Sequence, residues 1–179
     1  MSRVIIEKKV CLEPQFLNKD IAEHIYAKIC RDMLNSCDQE YGYILHIQRH
    51  IQISENFVST TSSGVCFTVK FGAKVLKPKV GDVYDGKICM VFSNGIFVEV
   101  LGKMKVLVPA NKMTSYKYVQ NKNYFRRDKE TKETKETKET LTEGDTITVQ
   151  IDMIKYEKQN FNCIGNIGNI RNLKTTTDG

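Results

Sequence analysis

The fold is decided by one stretch of the sequence, Phe67-Thr68-Val69-Lys70-Phe71-Gly72-Ala73-Lys74-Val75-Leu76-Lys77-Pro78-Lys79-Val80-Gly81-Asp82. Its first half alternates apolar and polar residues from Phe67 to Val75, which predicts a long strand with one buried face. Pro78 ends that strand, and Gly81 opens a second strand pattern shortly afterwards. The stretch therefore predicts a junction between two domains, and the short connection through Lys77, Pro78 and Gly81 predicts that the domains are coupled rigidly.

Residues 1–78, on the N-terminal side of the junction, predict an α+β domain in the order β-α-β-β. After an opening strand, Asp20 and Glu23 are spaced as in a helix capping box. Apolar residues then recur at every fourth position on one helical face: Ile21, Ile25, Ile29 and Met33. A strand over residues 42–49, a polar loop over residues 59–64 and the long strand complete a small sheet packed against one helix.

Residues 79–170, on the C-terminal side, predict an all-β domain. Alternating patterns predict strands over residues 83–92, 96–100, 104–108, 147–153 and 161–167, and Asn94-Gly95 predicts a type I′ hairpin turn. Five short strands with a long excursion between the third and the fourth are typical of an OB-fold barrel. The Lys-Glu-Thr repeat at residues 129–140 predicts a solvated surface loop, and residues 171–179 predict a disordered tail.

Composition excludes several classes of protein. The chain has 179 residues, 41% of them hydrophobic, and a net charge of +6. No apolar run reaches the roughly 20 residues of a membrane span, and the N-terminus has no secretory pattern, so we expect a soluble protein without a membrane partner. The six cysteines form no CxxC pair, so the prediction is free, reduced thiols and no metal site.

Motifs for catalysis are missing from the sequence. It contains no phosphate-binding loop, nucleophile elbow or paired acidic metal motif. His46 and His50 lie four residues apart, but within a strand that spacing does not bring two imidazoles to one metal ion. We therefore expect no enzyme activity and no cofactor.

The positive charge is concentrated in one segment. Residues 103–127 contain seven Lys and Arg residues and no Asp or Glu, while the rest of the chain is close to neutral. Cations that neutralise phosphates and aromatic rings that stack on bases suit sequence-tolerant binding of single strands. The predicted RNA-binding residues are Phe97, Lys103, Lys105, Lys112, Tyr116, Lys117, Tyr118, Tyr124, Arg126 and Arg127. The alternative is a solvated basic loop whose tyrosines pack back on the barrel.

The junction stretch, extended to Gly86, resembles the signature of the stalk subunit of multisubunit DNA-dependent RNA polymerase. This is the family of the seventh subunit of eukaryotic polymerase II and of its archaeal counterpart. Further segments match in order: Leu12-Glu13-Pro14-Gln15-Phe16, Gly42-Tyr43-Ile44-Leu45, Met104-Lys105-Val106-Leu107-Val108 and Ile164-Gly165-Asn166-Ile167. The resemblance covers about residues 4–167 and implies a truncated RNP-like tip domain followed by an OB-fold domain.

The resemblance also implies a function and partners. The chain would be a non-catalytic subunit that docks on the polymerase core together with a fourth-subunit-like partner, supports transcription initiation and contacts nascent single-stranded RNA. Leu12, Pro14, Phe16 and the loop ending at Gly64 are the implied docking residues. Asn94 and Pro109 replace an aromatic residue and a histidine of related OB domains, so the expected RNA contact is weak and largely electrostatic.

Two sources, each with its own location, fit the sequence. The Lys-Glu-Thr insertion suits a unicellular eukaryote or a large DNA virus that encodes its own polymerase. A cellular protein would work in the nucleus, and a viral one in the virion or in a cytoplasmic factory of the host. The competing function is a free-standing OB-fold RNA-binding protein in translation or RNA turnover.

Overall fold

The computed structural model describes residues 1–34, 36–58, 64–120, 122–128 and 139–167. The chain divides into two compact units, Met1–Lys77 and Pro78–Gly179. The predicted disordered tail and residues 129–138 of the Lys-Glu-Thr repeat lie outside the described residues.

The first unit is a four-stranded antiparallel sheet with one helix. In chain order its elements are β1 (Ser2–Leu12), a 3-10 turn (Pro14–Phe16), α1 (Ile21–Met33), β2 (Cys37–Asp38), β3 (Gly42–Val58) and β4 (Val65–Leu76). The strands lie in the order β1-β4-β3-β2. The helix and the three longer strands that the sequence predicts are therefore present.

The core of this unit lies between α1 and one face of the sheet. The alternation in β4 buries Phe67, Val69 and Phe71 because successive side chains of a strand point to opposite faces. From the helix, Ile25 and Ile29 pack into the same cluster. The predicted capping box is wrong, since the side chain of Asp20 makes no capping hydrogen bond.

Two of the six cysteines correct the prediction of free thiols. Antiparallel pairing of β1 with β4 places Cys11 directly opposite Cys66, and the two are joined as a disulfide. They lie 55 residues apart in the chain, so only the strand register brings them together. The other four cysteines form no disulfide: Cys30, Cys37, Cys89 and Cys163.

The second unit is built on a closed five-stranded barrel. Its strands are β5 (Val83–Phe92), β6 (Gly95–Val100), β7 (Met104–Pro109), β8 (Tyr116–Val119), β9 (Tyr124–Arg127), β10 (Thr140–Leu141), β11 (Thr146–Glu157) and β12 (Asn160–Asn166). The barrel has the order β11-β12-β7-β6-β5, with β12 parallel to β7. Inward residues such as Ile88, Ile96 and Val106 are fully buried, which confirms the alternation that predicts the barrel.

The hairpin turns differ from the prediction. Phe92 pairs with Gly95, so the turn between β5 and β6 consists of Ser93 and Asn94, and neither has the positive φ that a type I′ turn needs. Lys158 and Gln159, between β11 and β12, have φ of 51° and 58° and meet that requirement. The type I′ prediction at Asn94-Gly95 is therefore wrong.

The excursion between β7 and β11 is also not a plain loop. A 3-10 turn (Ala110–Lys112) leads into a second, three-stranded sheet with the order β10-β9-β8. Phe125 and Leu141 are the buried residues of this sheet, with side chains 1% and 2% exposed. The basic segment thus ends in a hairpin, and Thr140, the last residue of the predicted repeat loop, lies in β10.

Candidate nucleic-acid interface

Three neighbouring barrel strands carry an apolar row on their outer face. Met90 in β5 lies opposite Phe97 in β6, and Phe97 lies opposite Leu107 in β7. The chain neighbours of Phe97, Ile96 and Val98, are fully buried in the barrel, so Phe97 points outward. All three members of the row are half-buried.

The aromatic part of this face is a pair of rings. Phe92, the last residue of β5, is 46% exposed and meets Phe97 edge-on, with ring centroids 6.2 Å apart and planes at 90°. Exposed aromatic faces stack on unpaired bases. Sequence reasoning missed Phe92, although its position two residues after Met90 places it on the same outward face. Phe92 and Phe97 together form what we call the aromatic pair.

Cys89 lies beside the aromatic pair and is not an activated thiol. Its Sγ donates a hydrogen bond to the carbonyl oxygen of Phe97 at 3.4 Å. Burial raises the pKa of this thiol, so it stays protonated near neutral pH. This part of the surface offers contacts for binding and no nucleophile for catalysis.

The two predicted cations at the start of β7 are both exposed. Lys103 lies in the turn before the strand, and Lys105 points outward. Lys105 lies opposite Glu99, which lies opposite Lys87 in the next strand. Lys105 forms no salt bridge with any residue that the structure describes. Its ammonium group is available to an anionic ligand.

The small sheet brings further cations together on its outer face. Lys117 in β8 lies opposite Arg126 in β9, which lies opposite Thr140 in β10. Phe125 is buried, so residues one position away along β9, such as Tyr124 and Arg126, belong to the opposite, outward side. We call this outer face, with Lys117, Tyr124 and Arg126, the basic sheet face.

Like charges directly opposite each other destabilise a strand pair unless a counter-charge is near. Asp128 forms an ion pair with Lys117 and so reduces this repulsion. Arg126 has no ion-pair partner in the described part of the chain and is exposed. The basic sheet face therefore carries one uncompensated cation in a position that a phosphate group would stabilise.

Tyr116 and Tyr118 lie on the inner side of the small sheet, which bears Phe125. The Tyr118 ring packs on Phe125 with centroids 5.4 Å apart, and its hydroxyl donates to Asn123 Oδ1 at 2.8 Å. Tyr116 is half-buried, and this burial raises the pKa of its hydroxyl. Among the three predicted tyrosines, the structure places only Tyr124 on the basic sheet face.

Two predicted cations have partners inside the unit. Lys112 Nζ donates to Asp152 Oδ2 at 2.6 Å, and Asn166 Nδ2 donates to the other oxygen of that carboxylate at 2.7 Å. These two donors hold the pKa of Asp152 below its usual value. Arg127 is half-buried opposite Tyr116 on the inner side. Lys112 therefore stabilises the barrel surface, and its charge is not available to neutralise a phosphate.

The docking residues implied by the resemblance fall into two groups. Leu12 and Gly64 are buried, and a Cβ at Gly64 would lie 2.5 Å from the carbonyl oxygen of Leu12. Pro14 is exposed, and Phe16 is 38% exposed with its ring 5.2 Å from that of His24. Pro14 and Phe16 thus present exposed side chains, while Leu12 and Gly64 are mostly covered by the rest of the unit.

Two of the junction residues make hydrogen bonds within their own units. Lys77 Nζ donates to the carbonyl oxygen of Glu40 at 2.6 Å in the first unit. In the second unit Gly81 has φ of +91° and donates its N–H to the carbonyl oxygen of Ile151 at 2.8 Å. Pro78, between them, is buried. Glycine is required at position 81 because other residues rarely adopt this φ.

A cluster of metal ligands and a membrane-spanning helix are not found in the part of the chain that the structure describes. No cluster of three or more His, Cys, Asp or Glu side chains there is arranged to hold an ion. His46 and His50 are both exposed on β3. Among the same residues no helix is long and apolar enough to cross a membrane.

Comparison with known proteins matches both the second unit and a larger part of the chain. Residues 77–163 match the model of the S1 RNA-binding domain. DNA-directed RNA polymerase II subunit RPB7 of Saccharomyces cerevisiae is 31% identical over 58% of this chain and 61% of its own length. DNA-directed RNA polymerase II subunit 7 of Arabidopsis thaliana is 23% identical over 59% of each chain. The chain thus spans about 60% of the length of these relatives.

Solved structures give a weaker likeness. The solution structure of GSP13 from Bacillus subtilis has 25% sequence identity and a TM-score of 0.36, covering 51% of this chain and 56% of its own. The apo form of Mycoplasma genitalium RNase R has 16% identity and a TM-score of 0.35, covering 48% of this chain and 13% of its own.

Proposed function

We propose that this chain, a relative of RNA polymerase II subunit 7 with an S1 RNA-binding domain, is a non-catalytic stalk subunit of a multisubunit RNA polymerase. The observation that carries the proposal is the similarity to two subunits of that name across more than half of the chain. The S1 match over residues 77–163 adds an RNA-binding module to it.

In this proposal the second unit contacts nascent single-stranded RNA. The aromatic pair offers a surface for one or two bases, and Lys105, Lys117 and Arg126 offer positive charge for the phosphates. Binding is largely electrostatic because it relies on neutralising phosphates. It is weak because one of these cations already shares its charge with Asp128. The contact guides RNA without reading its sequence.

The first unit docks on the polymerase core, and a smaller fourth-subunit-like partner binds alongside. Support for docking comes from Pro14 and Phe16, which present an apolar surface on a turn held in place by buried neighbours. The role is to support initiation and to hold the RNA-binding unit near the core. In a cellular eukaryote this places the protein in the nucleus, and in a virus in the virion or a cytoplasmic factory.

The test is purification of the tagged full chain from its source cells, followed by mass spectrometry. We expect the large polymerase subunits and one small partner. Phe16→Ser should reduce their recovery, while Ile5→Ser, a matched change of an apolar residue that is 79% exposed on β1, should not. Recovery of the chain without any polymerase subunit would instead support a free-standing RNA-binding protein.

A further inference from the structure

A groove of about 480 Å³ opens in the first unit, between α1 and the segment that follows β1. Leu12, Phe16 and Ala27 give it an apolar floor, and the remaining lining is polar or charged. Leu12 is 3% exposed and Phe16 is held against the imidazole of His24, so the floor is formed in advance of any ligand. A groove of this volume can hold a few side chains of a ligand.

One wall of the groove is basic. His24, Lys28 and Arg31 lie at positions i, i+4 and i+7 of α1 and therefore share one helical face. Lys28 Nζ donates to the carbonyl oxygen of Cys11 at 2.8 Å, which fixes this ammonium group at the groove. The side chain of Arg31 is 75% exposed, so its guanidinium group can turn toward a ligand.

The acidic groups nearby leave this basic wall without a strong counter-ion. Glu13, across the groove, accepts a hydrogen bond from Gln15 Nε2 at 3.0 Å. Asp32 Oδ1 lies 3.5 Å from Arg31 Nε, but the two are neighbours on the helix surface and both are more than half exposed. Such a pair contributes little, and Arg31 can exchange it for a carboxylate of a ligand.

From this arrangement we infer that the groove binds a short acidic segment of a partner protein, with an apolar side chain on the floor and a carboxylate on Arg31. The inference rests on the proposed function, in which this unit docks on a larger assembly, and it names the chemistry of the contact. A peptide is favoured over RNA because the apolar floor accepts a hydrophobic side chain, and a peptide can carry that side chain next to a carboxylate.

The experiment is a titration of the isotope-labelled full chain followed by amide chemical shifts. The probes are an acetylated peptide Glu-Asp-Leu-Phe-Asp-Glu and its uncharged counterpart Gln-Asn-Leu-Phe-Asn-Gln. We expect the acidic peptide to shift amides of residues 12–16 and 24–31, with an affinity at least about tenfold higher than that of the uncharged peptide. Arg31→Glu should abolish this preference. Lys74→Glu, an equal change at an exposed lysine on β4, should leave it intact.

Other results overturn the inference. These are equal affinities for the two peptides, shifts that survive Arg31→Glu, shifts elsewhere in the chain, or no shifts at millimolar peptide. Shifts of the groove amides by a uridine hexanucleotide, with none from the acidic peptide, would identify the groove as a nucleic-acid site and also overturn it.

A parallel purification separates this inference from the proposed function. If the acidic peptide binds with the expected dependence on Arg31 but the chain recovers no polymerase subunit, the proposed function fails and the groove assignment stands. If polymerase is recovered equally with wild type and Arg31→Glu, and the peptides bind alike, the groove assignment fails and the proposed function stands.

Discussion

Replacing Lys105 and Arg126 by alanine tests which cations of the second unit face RNA. Both side chains are exposed and neither has a salt-bridge partner among the described residues, so each is free to neutralise a phosphate. For single-stranded nucleic acid the slope of log K against log salt changes by about 0.7 for each phosphate neutralised. The double substitution should therefore flatten the slope by about 1.4.

This change of slope makes a defined difference to affinity. Between roughly 50 and 200 mM salt, the ratio of wild-type to variant affinity should fall about sevenfold, and it should do so for every RNA sequence alike. The assay is fluorescence anisotropy of a labelled uridine oligonucleotide over that salt range. Asp128→Asn should act in the opposite direction, because it removes the carboxylate paired with Lys117 and so steepens the slope.

Lys112→Gln is the matched control. Lys112 Nζ is already paired with Asp152, so its replacement removes no free charge and should leave the slope nearly unchanged. The reasoning is refuted if the double variant keeps the wild-type slope. It is equally refuted if Lys112→Gln flattens the slope as much as the loss of one free cation.

Three further predictions concern stability. Lys112 and Asn166 lower the pKa of Asp152 in the folded state, so the stabilisation is present above the unfolded pKa of about 4 and is lost as pH falls through the folded value. Asp152→Asn should then lower the free energy of unfolding, measured with urea, by about 1 kcal/mol at pH 7 and by nearly nothing at pH 2. A difference between wild type and variant that does not change with pH would contradict this. Gly42→Ala should destabilise more than Gly102→Ala in the same assay. Both glycines have positive φ, but a Cβ at Gly42 would also clash with the carbonyl oxygen of Leu76, and equal effects would contradict the clash. Alkylation of the denatured protein without reductant should label four cysteines, and labelling of six would contradict the pairing of Cys11 with Cys66. Reduction of this disulfide should lower the free energy of unfolding by about 4 kcal/mol, because it removes the loop-closure constraint over 55 residues.

Local patterns predict the regular elements well because they depend on neighbours in the chain. The four-residue period of α1 places Ile25 and Ile29 in the core, and the alternation of β4 buries Phe67 and Val69. The barrel strands follow from the same rule of alternation. The small sheet was missed because β8 and β9 have four residues each, and β10 begins only at the last residue of the Lys-Glu-Thr repeat.

Local patterns do not predict which residues of the candidate interface are available to a ligand. The sequence concentrates cations between Lys103 and Arg127, but it does not show which of them are already paired. Lys112 meets Asp152 from 40 positions away, a contact that depends on the closure of the barrel. Phe92 becomes part of an aromatic pair only through the register of β5 with β6.

The sequence by itself therefore determined the two-part organisation at Pro78, the helix and the longer strands of each part, and the region of excess positive charge. These features depend on side-chain period, proline geometry and composition, all of which are local. Only the tertiary structure decided that Cys11 faces Cys66, that Lys105 and Arg126 lack ion-pair partners among the described residues, and that a groove with a basic wall lies beside Phe16. The reason is that strand register and barrel closure bring together residues whose separation in the chain carries no signal.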